Sequence, residues 1–220
     1  MSELTLIIGN KNYSSWSLRP WLFMKHNGIV FREKRIALYT DATRKELQPY
    51  VSNFKVPVLM DKDFIVWDSL AILEYIAERF PDSEGWPLDA KARAVARSMS
   101  AEMHSSFVSL RTELPMNCRR KFSNIKLSAD AQSDAERIKV LWRKCRVEYG
   151  AAGEWLCGRF SIVDAMYAPI ALRFAGYGIP LSGIEDAYVR SILKHPAIIE
   201  WMEAGGQERE VLADYEKDTS

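Results

Sequence analysis

KVPVLMDKDFIVWDSLAILEYIAERF, residues 55–80, decides the fold. Val56 to Met60 and Phe64 to Trp67 are apolar runs too short for helices. Joined by the polar turn Asp61-Lys62-Asp63, they read as two strands of a hairpin. The period then changes: Leu70, Leu73, Ile76, Ala77 and Phe80 share one face of a helix over Ser69 to Phe80. Two junctions in this stretch bear on binding. Val56-Pro57 enters a strand from a loop, and a cis bond there turns the Val56 backbone outward, free to pair with a peptide ligand as an extra strand. Asp68-Ser69 passes a strand to a helix N-terminus, which offers unpaired N–H groups and a hydroxyl to a carboxylate.

Upstream, Leu4 to Ile8 is a buried strand and Ile29 to Leu38 a second. The helix between them takes Ser17 as its N-cap, which puts Pro20 at the third helical position, and it ends at Asn27-Gly28. Thr43 to Tyr50 allows one short helix, broken by Pro49. The order is β-α-β-α-β-β-α. NYSSWSLRPW (residues 12–21) opens the first helix with three serines and no charged side chain before Arg19. Such a junction supplies neutral hydrogen-bond donors.

Downstream, Pro81, Gly85 and Pro87 among acidic residues mark a boundary. Helical patterns follow. Val95, Met99, Met103, Phe107, Leu110 and Leu114 form one stripe, read as a single helix from Asp89 to Leu114 and closed by Pro115. A second helix covers Ala129 to Tyr149. The third, within Arg159 to Gly178, is the most apolar and opens on a Ser161/Asp164 capping box. Shorter helices lie around Ala187 to Leu193 and Pro196 to Ala204. Arg97, Ala101, His104, Val108 and Arg111 share a second face of the Asp89–Leu114 helix, either a cationic wall for an acidic co-substrate or a solvated face. Met103, Phe107 and the segment from Pro115 to Cys118 could add an apolar lining, although a methionine-aromatic stripe is more often core. Trp86 and Trp155 are assigned to packing and Cys145 to an inert buried position.

Net charge +1 over 220 residues gives no electrostatic footprint for nucleic acid or an anionic membrane. No apolar run approaches the roughly 18 residues of a membrane span. No secretory signal is recognised at the N-terminus. Three cysteines without C-x-x-C spacing, and three scattered histidines, give no metal pattern. The expectation is a cytoplasmic, reduced protein without a metal.

On these residues the chain resembles the cytosolic glutathione transferase superfamily, as a serine-type, zeta- or tau-like, bacterial-type member. SSWSLR is similar to the zeta-class SSCSWR signature, with Trp16 in place of cysteine, and to the tau-class serine loop. Residues 55–80 look like the family's cis-proline and ES-x-AI segment, with Asp68 replacing the usual glutamate or glutamine. CGRFSIVDAMYAP resembles the capping-box segment of the helical domain.

The resemblance implies a thioredoxin-like glutathione-binding domain at 1–81, a linker at 82–88 and an all-helical co-substrate domain at 89–220. It implies that Ser14 contacts the glutathione sulfur, with Ser15 and Tyr13 as local competitors. Val56 beside cis-Pro57 would pair with the cysteinyl backbone. Asp68 and Ser69 would hold the γ-glutamyl end, and Lys55 would meet the glycyl carboxylate. A second tau-class lysine has no counterpart, since Thr40 and Asp41 fall there. Met103, His104, Phe107 and Arg111 are the candidate contacts to a small electrophile. The implied activity is conjugation of glutathione in detoxification by a homodimer. A glutathione-dependent cis–trans isomerase of the maleylacetoacetate type and a non-catalytic glutathione-binding module are the alternatives. Without the zeta cysteine, a thiol redox role is disfavoured.

The physical demand explains the serines. A free thiol has a pKa near 8.5, and lowering it by about two units needs roughly 2.7 kcal/mol of preference for the thiolate. A hydroxyl donating to sulfur at the positive end of a helix supplies interactions of that kind.

Overall fold

A computed structural model describes residues 4–51 and 53–216. The outermost parts of the expected 1–81 and 89–220 ranges lie outside the described residues. The N-terminal part is a four-stranded sheet in the order β2-β1-β3-β4, built from β1 (Leu4–Ile8), β2 (Arg32–Arg35), β3 (Val58–Asp61) and β4 (Phe64–Trp67). β1 runs parallel to β2 and antiparallel to β3, and β3 pairs antiparallel with β4. The helices α1 (Ser15–His26), α2 (Thr43–Leu47) and α3 (Ser69–Arg79) complete the expected β-α-β-α-β-β-α order. Helices follow: α4 (Ala90–Ser105), α5 (Val108–Glu113), α6 (Ala129–Tyr149), α7 (Ile162–Gly176), α8 (Gly183–Lys194) and α9 (Pro196–Gln207).

β1, β4 and α6 coincide with their sequence expectations. Others shift for physical reasons. The second strand shrinks from Ile29–Leu38 to Arg32–Arg35, all four exposed, because it is an edge strand; Ile36 just beyond it is buried. The hairpin turn tightens to Lys62-Asp63, because Asp61 pairs with Phe64 and Lys62 takes a left-handed φ of 55°. α1 starts two residues before the expected Ser17 cap, so Ser17 is its third residue and Pro20 its sixth. Ser17 instead uses its hydroxyl oxygen to accept the Gly9 N–H at 3.1 Å, tying the end of β1 to α1.

The expected Asp89–Leu114 helix is two helices. Phe107 adopts a left-handed φ of 59°, and α5 restarts with its Leu110 N–H donating to the Asp134 carboxylate of α6 at 3.1 Å. The apolar stripe survives this break, since Met103, Phe107, Leu110 and Leu114 are all buried. Arg97 and Arg111 therefore do not share a helix face; Arg97 instead lies 3.8 Å from Glu74 and against the Trp86 ring.

One apolar core runs through both halves, from Leu6 and Ile8 of β1 through Leu18, Trp21 and Leu22 of α1 to Met166 and Ile170 of α7. A smaller cluster of Ile7, Ile36, Leu47, Val51 and Val58 fills the other sheet face. Among the described residues no helix is long and apolar enough to cross a membrane, and no group of three or more His, Cys, Asp or Glu side chains could hold a metal ion.

A histidine pair joins the C-terminal end of α1 to the start of α9. The His195 Nδ1 accepts the Ala197 N–H at 3.1 Å, so its Nε2 carries the proton and donates to His26 Nδ1 at 2.9 Å. His26 also stacks on Phe160, with ring centroids 4.1 Å apart. Burial, then the neighbouring His195, lowers the His26 pKa from 6.5 to about 4, and burial lowers that of His195. Between pH 6.5 and about 4 the unfolded chain thus binds more protons than the native one. Stability is complete above that window and falls as pH drops through it. Because the His26 ring is partly exposed, the expected loss is about 1 kcal/mol. Urea midpoints across the window would check this: the slope should flatten in His26→Phe, and an unchanged slope would remove the pair as its source.

Candidate active site

A cleft of about 1450 Å³ opens where the N-terminus of α1, the loop before β3, α5, α7 and the C-terminal segment meet. Its lining includes Ser14, Ser15, Trp16, Lys55, Val56 and Arg111 from the sequence-derived candidates and their neighbours. Arg44, Arg173 and the stretch from Val211 to Glu216 complete much of the rest.

The three hydroxyls at the mouth of α1 have different partners. Ser14 is the N-cap residue, 7% exposed, and its hydroxyl donates to Ser17 Oγ at 2.8 Å without capping the helix. No acidic residue occupies the first turn, so the positive helix end beside Ser14 is not compensated there. The Ser15 oxygen accepts a hydrogen bond from Arg173 Nη2 at 3.2 Å. Tyr13 is committed elsewhere: its hydroxyl donates to Glu216 Oε1 at 2.5 Å and accepts from Arg119 Nη2 at 2.8 Å. Burial, with the Glu216 hydrogen bond, pushes its pKa up.

Three guanidinium groups surround this corner. Arg19, fully buried, donates to the Met166 and Ser15 carbonyls at 3.0 and 3.2 Å and lies 4.1 Å from the Trp16 ring centre. Its Nη2 has no partner. Arg111 sits 5.2 Å from the same ring centre, and its Nε donates to the Phe107 carbonyl. Arg173 donates to the Leu114 carbonyl at 2.7 Å as well as to Ser15. Among the described residues none of the three forms an ion pair. Burial lowers the pKa of all three, and Arg111 adds to the fall of Arg173 to about 10. Cations buried this way are costly unless an anion joins them.

On the sheet side, the Val56-Pro57 bond is cis. The β1–β3 ladder starts only at Val58, so the cleft-lining Val56 lies beyond it. Lys55 is exposed on the cleft wall. At the start of α3, Asp68 takes a left-handed φ of 77°, and its Oδ1 accepts the Leu70 and Ala71 N–H groups. Its Oδ2 is 3.2 Å from His104 Nε2, and the His104 ring packs edge-on against Trp16. Ser69 is 1% exposed, and its hydroxyl has no hydrogen-bond partner.

Of the remaining candidates Pro115 lines the cleft, whereas Asp68 and Ser69 are not among its lining residues. Met103 and Phe107 are 0% and 4% exposed in the main core and line no part of the cleft, so an apolar lining from them is corrected to packing. His104 is not itself among the lining residues and sits behind the cleft-lining Trp16, against Asp68. Pro57 is buried behind Val56.

Sequence reasoning missed Arg44, Arg173 and the C-terminal wall. Arg173 carried a signal, being a cation in the otherwise apolar IVDAMYAPIALRFAG helix. Arg44 stacks on Phe54, with its guanidinium 4.2 Å from the ring centre, near Lys55. The polar C-terminal segment carried none, because the contacts of Tyr215 and Glu216 are to distant residues such as Tyr13 and Asn117.

Residues 13–79 match the family described as Glutathione S-transferase, N-terminal domain. A stringent starvation protein A homologue from Pasteurella multocida is 27% identical over 180 residues, 75% of this chain and 76% of that protein. Glutathione S-transferase 1 from Dianthus caryophyllus is 26% identical over 198 residues, covering 80% of this chain and 82% of its own. The crystal structure of a glutathione transferase homologue from Burkholderia, with bound glutathione, aligns with a TM-score of 0.69 at 21% identity, covering 92% of this chain and 97% of that one. Residues 13–79 thus carry a glutathione S-transferase N-terminal domain, and nearly the whole chain shares the fold of the glutathione transferases.

Proposed function

We propose that the cleft binds glutathione, holds its thiol as a thiolate at Ser14, and transfers that sulfur to a small electrophile. The observation that carries this reading is the Ser14 hydroxyl at the uncompensated positive end of α1, beside guanidiniums that form no close ion pair among the described residues. The donor set fits the tripeptide. Val56 has its backbone beyond the sheet ladder, and Ser69 holds an orphaned hydroxyl for the γ-glutamyl carboxylate. Asp68 suits the γ-glutamyl amino group. Lys55 and Arg44, both on the cleft wall, offer two cations to the glycyl carboxylate, Arg44 taking the part of the lysine absent from the tau pattern. The bonds of Tyr13 to Glu216 and Arg119 weigh against it as the donor to sulfur. The division at 1–81, 82–88 and 89–220 belongs to this reading. So does a homodimer, supported by Phe64 and Trp67, 58% and 55% exposed on edge strand β4.

Arg111 and Arg173 favour an electrophile that carries a carboxylate. The same wall suits glutathione-dependent cis–trans isomerisation of an acidic substrate, which uses the same thiolate; this is the second reading. A binding module without catalysis is the third, supported by the similarity to stringent starvation protein A homologues.

The test is calorimetric titration with glutathione, followed by turnover of matched neutral and carboxylate-bearing electrophiles. Binding should weaken about tenfold in Ser69→Ala, the loss of one charge-assisted hydrogen bond. Arg111→Ala should raise KM for the acidic electrophile about tenfold or more and leave the neutral one nearly unchanged. Equal effects on both electrophiles would remove Arg111 as the carboxylate contact. Glutathione binding without turnover of either electrophile would favour the module.

A further inference from the structure

Two thiols outside the cleft lie in contact. Cys145, 2% exposed on α6, has its sulfur 3.4 Å from that of Cys157, which is half-buried in the loop leading to α7. The loop is fixed rather than loose. Arg146 Nη1 donates to the carbonyls of Gly150 and Gly153 at 2.9 and 2.7 Å, and to that of Trp155. The Leu156 N–H donates to Asp164 Oδ1 at 2.9 Å, while the Cys145 thiol donates to the Leu156 carbonyl. Antiparallel bridges Trp155–Gly158 and Cys157–Arg159 close the turn around Cys157. A Cβ on Gly153 would meet the Gly158 carbonyl oxygen at 2.3 Å, so the two arms of the turn are already in contact. Neither cysteine lines the cleft or serves the proposed chemistry.

We propose that Cys145 and Cys157 form a reversible oxidation site, closed to a disulfide by hydroperoxides, that staples α6 to the entry of α7. The sulfurs need to approach by little more than 1 Å to reach the bonding distance of about 2.05 Å. In the first step the Cys157 thiolate, the more exposed sulfur, attacks the terminal peroxide oxygen. The O–O bond breaks, the alkoxide takes a proton and leaves as an alcohol, and Cys157 becomes a sulfenic acid. In the second step the Cys145 sulfur attacks the sulfenic sulfur, loses its proton, and displaces the hydroxyl as water. In sum, two thiols lose two protons and two electrons, and one hydroperoxide becomes one alcohol and one water.

The hydrogen bond with Cys145, and then burial, push the Cys157 thiol up, so the pair rests as a dithiol and reacts slowly. The resolving thiol is already in contact, which favours closure over further oxidation of the sulfenic acid. Cys118 stands apart, its thiol pushed up to about 12 by burial and its sulfur bonded to the Lys11 carbonyl.

The experiment exposes the full chain to excess hydrogen peroxide for hours at about pH 8, then counts thiols after unfolding and maps peptides by mass. Free thiols should fall from the three in the sequence to one, with a single Cys145–Cys157 crosslink, and dithiothreitol should restore all three. The thermal midpoint of the oxidised protein should rise by roughly 5 °C, since the link closes a short loop in the unfolded chain. Cys157→Ser should keep its remaining two thiols under the same treatment. Retention of three thiols in the native protein would overturn the proposal. So would stable sulfinic acid on Cys157 without a crosslink, or pairing that involves Cys118.

Discussion

Ser14→Ala is expected to lower kcat/KM for glutathione conjugation about 100-fold at pH 6.5 while leaving glutathione affinity within about threefold. The first figure follows from the roughly 2.7 kcal/mol needed to hold a thiol two units below its free value. Ser14 is the cleft-facing hydroxyl at the uncompensated start of α1, and its oxygen is tied only to Ser17. Removing it also frees Ser17, whose oxygen still accepts the Gly9 N–H, so the turn between β1 and α1 keeps its anchor. The affinity should persist because the tripeptide backbone is held by Val56 and the α3 N-terminus rather than through sulfur. The loss should shrink as pH rises toward 9, where the free thiol ionises unaided. Stopped-flow turnover between pH 6 and 9 measures this. A loss that is constant across pH would mean that Ser14 acts in positioning and not in ionisation. A larger loss in Ser15→Ala would move the role to the serine bonded to Arg173.

Asp164→Ala is expected to destabilise the fold by about 3–4 kcal/mol, enough to prevent accumulation of soluble protein at 37 °C. Asp164 is wholly buried at the start of α7, the most apolar helix. Its two carboxylate oxygens accept the Leu156 and Ser161 N–H groups, each at 2.9 Å. Alanine leaves both donors buried without partners, at about 1–3 kcal/mol each, and removes the helix cap as well. Asp164→Asn retains one acceptor oxygen and should lose about half as much. Equal losses from the two substitutions, read from urea unfolding at 25 °C, would contradict this division. Because α7 carries Arg173 and the Met166 carbonyl that anchors Arg19, a partly folded variant should also lose the cationic corner of the cleft.

The contrast between these two sites shows what was legible beforehand. Ser161 and Asp164 are three residues apart, so a local pattern announced their bonds, and α6 and β4 were equally plain because turn residues and caps bracket them. The start of α1 was not. Ser14, Ser15 and Ser17 are all sound N-caps, and the choice is made by the Gly9 N–H, which takes Ser17 for another purpose. The break at Phe107 was hidden because a left-handed residue preserves the apolar stripe on both sides of it. Ser14, Lys55 and Val56 emerged as cleft residues, along with Arg111. Met103 and Phe107 did not, since helical spacing cannot say which side of a helix meets a cavity and which meets the core. The C-terminal wall depends on contacts between residues far apart in the chain, such as Tyr13 with Glu216, which are 203 positions apart. No local pattern encodes those.

Ionisation of a bound thiol in this cleft can be read from the ultraviolet thiolate band of glutathione bound to the native protein, titrated from pH 5 to 9. The bound thiol should titrate near pH 6.5, about two units below the free value. A band that titrates near 8.5 with glutathione demonstrably bound would contradict it and leave only a binding module.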